Sequence, residues 1–166
     1  MAGMRYLAGL MALIAVVSAC SATPSTSGPP RPASRQTPSR GCGATVIAKG
    51  DPPSWTASAR PPRTRYVISA QGNAAGFLFA DPLRAGTDPN LPTKILWVVR
   101  QPRDDHALTV TAHPLNTDTP LVTATFAADS SPGEIYPSGV SVPTAGCWHF
   151  TLRWNGNTAT IDLPYS

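Results

Sequence analysis

The chain has 166 residues, 19 of them proline and 13 glycine, and carries a formal charge of +4. That charge sits at the front, on Arg5, Arg31, Arg35 and Arg40; beyond residue 41 nine Lys or Arg balance nine Asp or Glu. A neutral folded part argues against a nucleic-acid surface, and its length suits one hydrophobic core and excludes two.

Taken in chain order, the first element is the apolar run 7–19 (LAGLMALIAVVSA), which follows Arg5. A membrane-spanning helix needs about 20 such residues, so this run is too short to span. It has the length of the hydrophobic region of an export signal. The run ends in Val17-Ser18-Ala19-Cys20, which resembles a bacterial lipobox. The resemblance implies a signal peptide over 1–19, a diacylglyceryl group on the Cys20 thiol, and cleavage that leaves Cys20 as the new N-terminus. It places the chain on the outer face of the cell membrane, held by two acyl chains, the double anchor that stable attachment requires. The alternative is an ordinary signal peptide, or an uncleaved anchor, with an incidental cysteine.

Residues 20–40 follow as the lipidated cysteine and a tether. Of residues 21–40, eight are Ser or Thr, five are Pro, and none is a large apolar residue. Such a segment cannot bury enough surface to offset its ordering entropy, so disorder is expected. Fully extended as polyproline it would reach about 60 Å at most. Assigning Cys20 to lipid leaves Cys42 and Cys147 as one available pair in an oxidising compartment. A disulfide between them would close a loop of about 100 residues, which the chain-entropy model values at roughly 4.7 kcal/mol.

Within 41–166, alternating or β-branched runs recur between turn signals. They predict strands near 43–48, 64–70, 75–80, 94–100, 107–113, 120–127, 147–154 and 157–163, with a further short one around 138–142. Helical periodicity is missing throughout. The fold class is all-β: an antiparallel two-sheet sandwich of immunoglobulin-like architecture, with a small barrel as the alternative. The most constrained piece is the hairpin around Asn155-Gly156, the signature of a two-residue type I′ turn. That turn sets Trp148 against Leu163, Phe150 against Ile161 and Leu152 against Ala159 on the core face. It sets His149 against Asp162, Thr151 against Thr160 and Arg153 against Thr158 on the outer one. A slip of one residue would reverse both faces. Cys147 then shares the outer face with His149, so a bridge to Cys42 would lie at a sheet edge or end. It would not be the central inter-sheet disulfide of antibody domains.

The stretch Tyr136-Pro137-Ser138-Gly139-Val140-Ser141-Val142-Pro143, followed by Gly146-Cys147-Trp148 and Leu152-Arg153-Trp154, resembles the ending of uncharacterised lipoproteins of high-GC Gram-positive bacteria. Phe77-Leu78-Phe79 and Lys94-Ile95-Leu96-Trp97 extend the resemblance upstream. It implies a sandwich-type surface domain and brings no catalytic residue with it.

Signatures of chemistry are scarce. The sequence has no GxSxG elbow, HExxH, CxxC or Gly-rich phosphate loop. Asp104-Asp105-His106 is the densest polar cluster and reads as a hairpin loop. His106, His113 and His149 lack ligand spacing along the chain, and neither a metal, another cofactor nor a catalytic residue is assigned. Trp97 and Trp148 fall on apolar faces and belong to the core. Trp55, in the Pro-rich stretch 51–63 with Arg60 and Arg63, could form a binding surface for sugar or peptide, or could fold back over a sheet edge.

These residues point first to a non-enzymatic surface module that binds a protein or an envelope glycan. An accessory or scaffold subunit of an envelope complex is the second reading, and a hydrolase or metal-handling protein built on Asp104–His106 the third. A binding module predicts an exposed aromatic patch, a scaffold an apolar patch or unpaired edge strand, an enzyme a concave pocket where Asp, His and Arg converge.

Overall fold

The computed structural model describes residues 42–59, 64–86, 88 and 93–166. Among these residues nine strands follow one another: β1 (Ala48–Lys49), β2 (Arg65–Ile68), β3 (Ala74–Leu78), β4 (Lys94–Val99), β5 (Leu108–Pro114), β6 (Val122–Phe126), β7 (Ile135–Gly139), β8 (Gly146–Trp154) and β9 (Asn157–Tyr165). They form two antiparallel sheets, one ordered β1-β2-β3-β4-β7 and the other β6-β5-β8-β9. The fold is a sandwich and not a closed barrel. With β3, β4 and β7 taken as A, B and E, and β6, β5, β8 and β9 as C′, C, F and G, the order is the immunoglobulin one. The D strand is missing among the described residues, and β2 and β1 extend the sheet beyond A.

The hairpin forms in the expected register. Trp148 faces Leu163, Phe150 faces Ile161, Leu152 faces Ala159, and His149 faces Asp162. Asn155 and Gly156 both take positive φ, 37° and 72°, as a type I′ turn demands. Trp148, Phe150, Leu152, Ile161 and Leu163 are all buried, and Trp154, beside the turn, is buried with them. From the other sheet comes Trp97, fully buried, its ring 6.2 Å from that of Phe150 and tilted by 44°. β4 and β8 therefore meet through two aromatic rings, where antibody domains join the corresponding strands by a disulfide. Trp97 is accommodated because the residue opposite it on β3 is Gly76.

Three expectations are corrected. The first strand is only two residues, since Gly43 turns at φ +57° and keeps 43–46 off the sheet ladder. The last minor strand lies at Ile135–Gly139, earlier than 138–142, because its register on β4 sets Ile135 opposite Val98 and Gly139 opposite Lys94, the first residue of β4. Asp104-Asp105-His106 does not close a hairpin: β4 and β5 belong to different sheets, and the loop turns the corner between them. A 3₁₀ helix at Ser54–Ala59, which the sequence pattern did not foretell, lies over the outer face of the larger sheet.

A methyl group on Gly76 would stand 2.6 Å from Trp97 Cζ3 and 3.2 Å from Val67 Cγ2. Gly76→Ala is expected to lower the unfolding free energy by about 1–3 kcal/mol, the usual range for overpacking a filled core. Urea denaturation followed by tryptophan fluorescence measures it.

Candidate functional site

Three strands of the smaller sheet bring a polar row to its outer face. The β8–β9 register sets His149 opposite Asp162, and the β5–β8 register sets His113 opposite His149. His149 Nδ1 lies 2.7 Å from Asp162 Oδ1, and the two imidazole rings are 5.3 Å apart. His113 Nδ1 in turn lies 2.9 Å from both Pro114 O and Thr117 O. Asp162 keeps only 13% of its side chain exposed, so its second oxygen needs a partner. It finds one in the segment preceding β1: Ala44 N donates to Asp162 Oδ2 at 3.2 Å. Asp162 N donates to Thr45 Oγ1 at 2.8 Å, so the segment is held from both sides. Gly43 makes the approach possible, since a Cβ there would fall 2.0 Å from the carboxylate oxygen.

This latch carries Cys42 to Cys147. Cys42 is buried, and its thiol neighbours that of Cys147 on the outer side of β8. Loss of solvent, followed by the neighbouring Cys147, pushes the Cys42 thiol up to about 12. A thiol held so high has little thiolate at neutral pH and is a poor nucleophile.

The latch also walls a groove of about 390 Å³ between the sheet edges. Ala44, Val46, Ala48, Tyr66 and Ile68 line it, and Thr160, His149 and Asp162 supply polar groups. Val46 is 55% exposed, so the groove presents aliphatic surface to solvent. That volume falls in the usual range of ligand sites, about 300–1,000 Å³.

Elsewhere the expected sites are placed differently. Trp55 sits in the 3₁₀ helix and is half-buried against a second apolar cluster that includes Tyr66, Phe77 and Val98. It covers a sheet face, close to the folding-back that the sequence left open. Arg60 and Arg63, the proposed companions of Trp55, lie outside the described residues, as do Cys20, the segment 1–19 and the tether 20–40. In the corner loop, Asp104 Oδ2 accepts from Asn155 Nδ2 at 2.8 Å, His106 Nδ1 lies 2.9 Å from Asp104 O, and Tyr136 OH donates to His106 O at 2.7 Å. These groups brace the corner. Among the described residues no three His, Cys, Asp or Glu gather as metal ligands. Also among the described residues, no helix is long and apolar enough to cross a membrane.

Against known proteins, no family model and no curated protein matches this chain. One solved structure that aligns is described as a "Putative Lipoprotein from Bacillus anthracis". It is 14% identical, with a TM-score of 0.44, over 70% of this chain and 98% of that one. At that distance it transfers no residue role.

His149 and Asp162 could be paired from the hairpin alone. His113 and the latch could not, since both depend on contacts between segments far apart in sequence. If Asp162 holds the latch, Asp162→Ala should speed amide exchange at Ala44 by an order of magnitude or more while Val110 in the core keeps its protection, as read by hydrogen–deuterium exchange. Unfolding free energy should fall by about 1–3 kcal/mol, the range for orphaned polar partners.

Proposed function

We propose that this chain is exported, anchored to the outer face of the cell membrane through lipid on Cys20, and acts there as a non-enzymatic module that binds an envelope protein. One observation supports export above the rest: with Cys20 set aside for lipid, the other two cysteines are neighbours although most of the folded chain separates them. In an exporting cell they form a disulfide. Both thiols lose their protons, and the two electrons pass to the disulfide of a thiol-exchange catalyst, which is reduced to its dithiol. The bridge fastens the start of the folded domain, where the tether joins it, to β8.

Binding is assigned to the groove beside the latch. A largely apolar lining with a few polar groups suits an extended peptide segment. The glycan alternative is less favoured, because sugar binding calls for an open aromatic platform. Trp97, Trp148 and Trp154 are buried, and Trp55 is half-buried. The accessory-subunit reading differs only in having the partner perform the chemistry.

Each part has its own test. Cys20→Ser should move the full chain from the membrane fraction to the soluble one; retention there would sink the lipid assignment. Alkylation of the exported chain without reductant should leave Cys42 and Cys147 unlabelled in tryptic maps, and both should label after reduction in denaturant. Labelling before reduction would disprove the bridge. Removing the bridge with Cys147→Ser should lower stability by about 2–5 kcal/mol. For binding, the full chain is immobilised against solubilised envelope and, separately, against cell-wall glycan. Protein retained by the native chain and lost with Val46→Arg supports the groove; retention on glycan, lost with Trp55→Ala, would replace this reading with the glycan one.

A further inference from the structure

A two-sheet sandwich has four free edges, and exposed edges invite pairing with other chains unless they are blocked. Three are blocked here, each by different means. On β9, Thr160 O accepts from Ala70 N at 3.0 Å, Thr160 N donates to Gln71 Oε1 at 2.8 Å, and Asp162 N donates to Thr45 Oγ1 at 2.8 Å. On β7, alternate residues bond to β4, as shown by Val99 N donating to Glu134 O. Its outward groups are therefore those of Ile135, Pro137 and Gly139. Ile135 O is taken by Arg103 Nη1 at 2.7 Å, and Pro137 has no N–H to offer. β1 is two residues long and ends in an exposed lysine, Lys49.

The fourth edge, β6, has none of these defences. Among the described residues no backbone group bonds to its far side. The strand Val122–Phe126 (VTATF) lacks proline, and residues 119–128 carry no charge. Leu121, just before it, is 61% exposed. Val122 and Phe126 pack only partly against the core.

The occupant that fits this edge is another β6. We propose that two copies of this chain join edge to edge through β6, antiparallel about a two-fold axis at Ala124, and so fuse their four-stranded sheets into one. Ala124 then faces its own copy, Thr123 faces Thr125, and Val122 faces Phe126. Apolar residues meet on the core-facing side and threonines on the outer side, both favourable cross-strand pairings. The same register brings Leu121 over Ala127 of the other copy. It sets Asp118 and Asp129, the flanking charges, against Ser130 and Thr119, so no like charges oppose. A two-fold interface requires this self-complementarity. The inference does not depend on the groove or on the lipid anchor.

The experiment co-expresses two differently tagged copies of the full chain and purifies one tag in detergent. The second copy is expected to accompany the first. Thr123→Lys with Thr125→Lys sets lysine against lysine across the axis and should reduce co-purification at least tenfold, with the thermal unfolding midpoint unchanged. Independently, Ala124→Cys places one thiol of each copy beside the two-fold axis and should give an oxidant-dependent dimer on non-reducing gels, absent from the native chain. Loss of co-purification in the lysine variant together with that cross-link supports the proposal. Co-purification that survives both lysines, no co-purification at all, or no cross-link overturns it.

Discussion

The β8–β9 register is the constraint on which most of this structure rests. A two-residue turn at Asn155-Gly156 is possible because both residues accept positive φ, and it leaves the flanking strands no freedom to slide. Once the register is set, Trp148, Phe150, Leu152 and Trp154 must enter the core from β8, and Ala159, Ile161, Leu163 and Tyr165 from β9. The same rule leaves Cys147, His149 and Asp162 outside. Core and candidate site are thus two consequences of one turn. Phe150 belongs to both the hairpin and the sheet interface: its ring contacts Trp97 on one side and stacks on Tyr165 at 6.0 Å on the other.

Trp97 decides how the second sheet sits. So large a ring at the centre of a sandwich needs a neighbour without a side chain, and Gly76 is that neighbour. The ring carries one unsatisfied group, Nε1, which is buried without a partner among the described residues. Dense packing around the indole offsets that loss, a trade that aromatic area makes feasible. No inter-sheet disulfide is needed at this position. The cysteine pair is free to serve elsewhere, at the periphery where the chain enters the domain.

Edge management and the candidate site are connected through the segment 42–45. Its Thr45 covers a β9 donor and its Ala44 donates to the second oxygen of Asp162, while Cys42 reaches Cys147. A segment too irregular to be a strand therefore seals one edge, walls the groove and brings two sulfurs together. The contrast with β6 is physical: one edge has its hydrogen-bonding groups consumed by side chains and a turn, while among the described residues nothing takes those of the other.

Much of this was legible in the residues. Alternation and turn chemistry located the strands, and Asn155-Gly156 fixed the pairing of eighteen residues of hairpin. Locally determined features survived because their partners are close along the chain. Trp55 was less legible, because an isolated tryptophan in a Pro-rich stretch carries no period, and only the shape of the sheet beneath it determines how much of it is covered. Asp104–His106 looked like a hairpin because sequence shows that two strands are consecutive but not whether they share a sheet. By itself, then, the sequence determined the all-β class, the hairpin register and the side of the sheet on which His149, Asp162 and Cys147 lie. Only the tertiary structure decided that His113 joins that row, that Asp162 holds the segment which carries Cys42, and that, among the described residues, one edge of four is left bare. Those three outcomes depend on which distant strands become neighbours, and packing between sheets settles that where local periodicity cannot.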